Sequence, residues 1–203
     1  MVSHGPVSNR PLGFSIHAPQ GAFSATPMTS LAALQILLVD DNPHMRTIAS
    51  AVLKSAGIKK VLEAGDGGAG LQMLRDHAVD LAIVDYNMFP LDGVEFTRLV
   101  RNSPDSANPY LPIIMMTGHS GKQRVYEARD AGVTEFLAKP ITAKGVLDRI
   151  QSVIWKPRPF VKTEGYFGPD RRRASPSHFR GPFRRATDAA REPATDASSI
   201  VTV

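Results

Sequence analysis

Gln35-Ile36-Leu37-Leu38-Val39-Asp40-Asp41-Asn42-Pro43 is the stretch that decides the fold. The unbroken apolar run Ile36 to Val39 is what a strand buried on both faces requires, and it stops abruptly at two acids. Asn42 and Pro43 suit the first turn of a helix, and Met45, Ile48, Ala49, Val52, Leu53 and Ala56 follow at helical spacing until Gly57. The segment therefore reads as a strand leading directly into a helix.

The same alternation recurs to the end of the apolar region. Val61-Leu62 leads to a helix over residues 68–77, and Leu81-Ala82-Ile83-Val84, ending in Asp85, leads to one over 93–102. Leu111 to Met116 ends in Thr117 and leads to a helix over 120–131; Glu135 to Ala138 ends in Lys139 and leads to one over 142–155. Strands alternating with helices imply a parallel sheet covered on both faces, because right-handed crossovers must bury each helix against it. The expected fold class is α/β, a doubly wound five-stranded parallel sheet over residues 34–155.

The flanks read differently. Residues 1–33 are rich in Pro, Ser, Gly and Ala, lack an apolar period, and are expected to stay mobile, with Met28 as an alternative start. After Trp155, Pro and Gly become frequent and the period vanishes, so residues 156–203 are expected to form a largely disordered extension. Charge divides along the same line: residues 34–155 carry 13 Lys and Arg against 14 Asp and Glu, whereas residues 156–191 carry 10 against three. The net charge of +5 thus comes from the extension. With no cysteine, the chain cannot use disulfides, thiol catalysis or cysteine-bound metals, which leaves oxygen and imidazole ligands. No run reaches the ~18 to 20 apolar residues of a membrane span and no secretory h-region opens the chain, so a soluble, cytoplasmic protein is expected.

In an open parallel sheet, ligands bind beyond the carboxyl ends of the strands, where the strand order reverses. The unusual residues fall at those ends: Asp40 and Asp41, Asp85, Thr117 and Lys139. Converging carboxylates repel one another, and a cation relieves the repulsion. Mg²⁺, which takes oxygen ligands and keeps several waters, suits such a group. An ionised carboxylate can then act as an in-line nucleophile on a phosphoryl group, while the ammonium of Lys139 and the hydroxyl of Thr117 serve its equatorial oxygens.

LLVDDN at residues 37–42, the lone acid ending AIVDYNM, MMTG at the fourth strand and FLAKP at the fifth together resemble the response-regulator receiver family, chemotaxis-type single-domain members included. The resemblance covers residues 34–155 and implies a flavodoxin-like fold. It implies that Asp85 is phosphorylated by a histidine kinase or a phosphotransfer protein, in a two-component phosphorelay. By the same resemblance Asp40, Asp41, Asp85 and the Asn87 carbonyl hold Mg²⁺, Lys139-Pro140 is cis, and Thr117 and Phe136 form a switch. That switch would alter a face made by the fourth helix, fifth strand and fifth helix, where a downstream protein binds. The chain is then not an enzyme beyond its own phosphoryl transfer and autodephosphorylation. Pro90 stands one position later than the family pattern has it. A haloacid-dehalogenase-type phosphatase also uses an Asp nucleophile and a Lys, but its DxD spacing after the first strand is missing here.

The basic extension contains an imperfect repeat, Gly168-Pro169-Asp170-Arg171-Arg172 and Gly181-Pro182-Phe183-Arg184-Arg185, with Phe160, Tyr166, Phe167, Phe179 and Phe183 among the cations. Arginines fork onto phosphates and stack on bases, which fits a nucleotide or a nucleic acid. Some receiver-like proteins with such extensions resemble this one and bind cyclic di-GMP; the expected ligand residues are Arg171, Arg172, Arg173, Arg180, Arg184, Arg185 and Asp188. On that alternative the protein is an adaptor that controls a partner such as the flagellar motor. Ordering a residue costs ~1 to 2 kcal/mol and a charge-assisted hydrogen bond returns ~1.5 to 3 kcal/mol, so one phosphate could not order the whole segment.

Overall fold

The computed structural model describes residues 30–118 and 121–171. Five parallel strands, β1 (Gln35–Val39), β2 (Lys60–Ala64), β3 (Leu81–Asp85), β4 (Ile113–Thr117) and β5 (Glu135–Ala138), form a sheet in the order β2-β1-β3-β4-β5. Helices α1 (Pro43–Ser55), α2 (Gly67–Asp76), α3 (Gly93–Asn102), α4 (Lys122–Ala131) and α5 (Ala143–Trp155) connect and cover it. The doubly wound architecture read from the sequence is the one observed. Because β2 lies on one side of β1 and β3 on the other, the chain reverses direction across the sheet between β1 and β3, which opens a crevice at their carboxyl ends.

Two-residue periodicity sends alternate strand side chains to opposite faces. Ile36, Leu38, Ile83, Ile114 and Met116 pack beneath α1 and α5 with Leu53, Val146 and Ile150. Leu37, Val39, Ala82, Val84 and Ile113 face the other way, against Phe96 and Val100 of α3 and the partly buried Leu71 and Leu74 of α2. Phe96 is fully buried, and burying a side chain of that size contributes ~1.5 to 3 kcal/mol. The helix starts follow from capping: the side chains of Asn42, Asp66, Asp92 and Thr142 each accept a hydrogen bond from a first-turn N–H.

Two expectations about the flanks are corrected. Leu31–Ala33 forms a short 3₁₀ turn capped by Ser30, and Leu31 packs on the core. Order thus begins before residue 34. More consequentially, the segment after α5 is not wholly irregular: β6 (Phe160–Thr163) and β7 (Tyr166–Pro169) pair antiparallel as a hairpin around Glu164 and Gly165. An isolated hairpin is marginal in water, so composition alone pointed to disorder; packing reverses that. Phe160 and Phe167 pack against Tyr110 in tilted and edge-to-face arrangements, ring centroids 5.2–5.6 Å apart, beside the amino-terminal end of β4. The remaining residues expected to be mobile, 1–29 and 172–203, lie outside the described residues.

Candidate functional site

The register brings the acids together. Val39 pairs with Val84 and Asp85 with Met116, so β1 and β3 end side by side and deliver Asp40, Asp41 and Asp85 to the crevice. Their carboxylates each place an oxygen within 4.8 Å of the others. Asp40 and Asp85 are buried, while Asp41 is exposed at the rim.

Lys139, just past β5, reaches across the sheet. Its Nζ lies 2.9 Å from Asp85 Oδ1 and 3.3 Å from Asp40 Oδ2. Thr117 and Ala138 are paired at the ends of β4 and β5, and the Lys139 N–H donates to the Thr117 carbonyl at 2.9 Å, which fixes the lysine's point of departure. The Lys139–Pro140 peptide is cis, as the resemblance implied, and so is Phe89–Pro90 in the loop where proline is displaced by one position.

Smaller contacts shape the rest. The Asn42 N–H donates to Asp40 Oδ1 at 2.9 Å and the Phe89 N–H to Asp41 Oδ2 at 3.1 Å, tying the loop after Asp85 to the acidic pair. Asn87 is exposed in that loop. Phe136 is half-buried against Val94, Met115, Ala128, Ala131 and Val133.

Two residues that sequence reading missed also belong to this region. Arg46 on α1 donates from Nη1 to the Asp40 carbonyl at 2.7 Å. At Gly93 a Cβ would collide with the Asp85 carbonyl, so α3 can start this close to the acid only with glycine. The helical phase of Arg46 was legible in the sequence, but its reach to β1 was not.

The electrostatics are unbalanced. Burial pushes the Asp85 carboxyl above its ordinary value, against the opposing hydrogen bond and charge of Lys139. Burial also pulls Lys139 down, but Asp85 and Asp40 outweigh it and hold the ammonium above its ordinary range. Asp40 and Asp85 share one ammonium, with the Asp41 carboxylate close beside them. That donor set fits a hard divalent cation, which would compensate the remaining negative charge with oxygen ligands.

Of the ligand residues expected in the basic extension, Arg171 is the one within the described region. It packs inward, with Nη1 3.0 Å from Asp130 and the guanidinium 3.9 Å over the Tyr166 ring. Arg172, Arg173, Arg180, Arg184, Arg185 and Asp188 lie outside the described residues.

A crevice of this kind, with acids and a lysine at the carboxyl ends of a parallel sheet, defines a receiver-type signalling domain. Residues 36–151 match the response regulator receiver domain, and the chain belongs to that family. Over 120 residues it is 33% identical to the chemotaxis protein CheY of Pseudomonas aeruginosa, spanning 59% of this chain and 95% of that one. Chemotaxis protein CheY-3 of Vibrio cholerae is 31% identical over 120 residues, 59% of this chain and 91% of that one. Among solved structures, CheY4 of Vibrio cholerae superposes with a TM-score of 0.55 at 31% identity, covering 60% of this chain and 98% of its own. The receiver domain of a sensor histidine kinase from Pseudomonas aeruginosa, solved with a magnesium ion in its active-site cleft, gives 0.53 at 29% identity, covering 58% and 94%. Two-component signalling is therefore the setting in which this domain works, and none of the helices among the described residues is long and apolar enough to cross a membrane.

Proposed function

We propose that this protein is a response regulator whose Asp85 accepts a phosphoryl group from a histidine kinase or a phosphotransfer protein. The observation that carries the reading is the convergence of Asp40, Asp41 and Asp85 with the Lys139 ammonium, 2.9 Å from Asp85 Oδ1. Residues 34–155 form the receiver unit. Asp41, Asp85, the Asn87 carbonyl and Asp40, directly or through water, are the groups that would hold Mg²⁺. Bound there, the ion would neutralise charge on the phosphoryl oxygens.

The chain's own residues account for the remaining chemistry. In its carboxylate form Asp85 needs no general base; one of its oxygens attacks phosphorus in line, the donor's bond to phosphorus breaks, and the donor leaves with that electron pair. Lys139 already bridges Asp85 and Asp40, so its ammonium is placed to move from carboxylate to phosphoryl oxygen without crossing solvent. Thr117 supplies a hydroxyl from the neighbouring strand end. Hydrolysis of the acyl phosphate by water returns Asp85 to its carboxylate form, so the domain's turnover is of itself. Phe136, on the cluster beneath α4, transmits the change to the surface made by α4, β5 and α5, where a downstream protein binds.

Incubation of the full chain with Mg²⁺ and acetyl phosphate tests the assignment. One phosphate per chain is expected, lost in Asp85→Asn; incorporation that survives this substitution would overturn it.

A further inference from the structure

Helix α4 has little apolar grip on the domain. Its fully buried side chains are two alanines, Ala128 and Ala131, and Gly121 before it offers no capping side chain. Polar contacts hold it at two levels. Toward the acidic crevice, Tyr86, adjacent to Asp85, donates its hydroxyl to Glu127 Oε2 at 3.1 Å; Arg98 stands 3.7 Å from the same carboxylate, and the Arg124 guanidinium lies 5.3 Å from the Tyr86 ring centroid. A change in charge at Asp85 therefore has a one-residue path to α4.

The second grip is the hairpin. Arg171 pairs with Asp130 in the last turn of α4 at 3.0 Å. Gly132, which ends the helix at φ +101°, lies directly against β7: a Cβ added at Gly168 would stand 2.9 Å from the Gly132 Cα. Arg158, entering the hairpin, lies 3.7 Å from Glu135 at the start of β5. Phe160 lies over the buried Arg101, 5.1 Å from guanidinium to ring centroid, and Arg101 in turn donates to the Gly132 carbonyl at 3.1 Å. Contacts from α3, α4, β5 and the extension thus meet at one end of α4.

We propose that the β6–β7 hairpin is an intramolecular clamp on the carboxyl-terminal end of α4, holding the helix in its resting position and opposing the rearrangement that a phosphoryl group at Asp85 imposes through Tyr86. Linkage is reciprocal: a docked hairpin weakens occupancy of the phosphoryl site, and occupancy of that site loosens the hairpin by the same factor. The clamp rests on Asp85 being the phosphoacceptor.

Two variants of the full chain test it: Gly168→Val, whose side chain would meet both the Tyr166 hydroxyl and the Gly132 Cα, and the double variant Arg158→Gln/Arg171→Gln, which keeps the test intact should the first fail to fold. Affinity for beryllofluoride with Mg²⁺, a mimic of the phosphoryl group, is measured by calorimetric titration. Hairpin accessibility is measured by limited trypsin cleavage at the exposed Lys162. Each folded variant is expected to be cut faster and to bind beryllofluoride about five-fold or more tightly than the parent; in the parent, beryllofluoride should accelerate the cut. Variants that are cut faster but bind with the parent's affinity overturn the clamp and leave the phosphoacceptor standing. Unchanged cutting in both variants shows that these contacts do not hold the hairpin, which also overturns it. A parent chain that binds no beryllofluoride overturns the phosphoacceptor reading, and the clamp with it.

Discussion

The two ends of the central sheet both bury charge, and they do so in opposite ways. At the carboxyl end, Asp40 and Asp85 are buried beside Asp41 with a single ammonium between them, so negative charge is left over. At the amino end Arg101 is 3% exposed, and among the described residues no carboxylate lies within ion-pair distance of it; two carbonyls accept from it, at 2.8 and 3.1 Å, and Phe160 covers it. Burial pulls its guanidinium down to about 10, so it stays charged at neutral pH. The first end keeps an imbalance that a cation and a phosphoryl group can use. The second holds its cation with two carbonyls and a ring, leaves Nη2 without a hydrogen-bond partner among the described residues, and serves as an anchor.

Asp85→Asn breaks the contrast most completely. Phosphate labelling should fall to background, while stability in the absence of Mg²⁺ should rise in urea denaturation. The sign follows from the raised carboxyl: the folded state binds the proton more tightly than the unfolded chain, so stability falls as pH rises from the ordinary value of 3.8 through the raised one. Ionising the buried residue therefore costs stability. Mg²⁺ at a hundred times its dissociation constant should stabilise the parent by about 2.7 kcal/mol, and the variant by less.

Arg101→Ala attacks the other end. It leaves the Gly132 and Pro109 carbonyls without their donors and opens space beneath Phe160, for an expected loss of about 3 kcal/mol. Phosphate labelling should persist in the folded fraction. If labelling vanishes while the fold is intact by circular dichroism, the two ends are not the separate devices described.

Lys139→Met should cost about 2 kcal/mol without Mg²⁺, because Asp40 and Asp85 lose their shared ammonium in a pocket that is only partly closed. Added Mg²⁺ should restore most of that stability. A variant that gains nothing from Mg²⁺ would argue against a cation among the three acids. Asp130→Asn is the mildest change: a half-exposed pair with Arg171 is worth about 0.5 kcal/mol at low salt. Its effect on thermal midpoint should shrink at 1 M salt, where the screening length is about 3 Å.

The carboxyl end was largely legible in the sequence. Strands buried on both faces announce themselves as apolar runs, and a parallel sheet must present whatever follows each run at one end, so Asp40, Asp85, Thr117 and Lys139 could be placed together before any distance was known. Gly93 and Arg46 escaped because their roles depend on close approaches, one to the Asp85 carbonyl and one to the Asp40 carbonyl, that no periodicity encodes. Arg101 lies between the Gly132 and Pro109 carbonyls and Phe160 of the hairpin, a segment whose own composition pointed to disorder.

What the sequence determined by itself was the order of strands and helices and the set of groups at the strand ends, since both follow from local apolar patterning and chain connectivity. What only the tertiary structure decided was the fate of residues 156–171. A two-stranded hairpin has too few contacts of its own to offset the entropy of ordering it. Its stability is supplied by Arg101, Tyr110, Asp130, Gly132 and Glu135, residues remote along the chain that meet only once the sheet has formed.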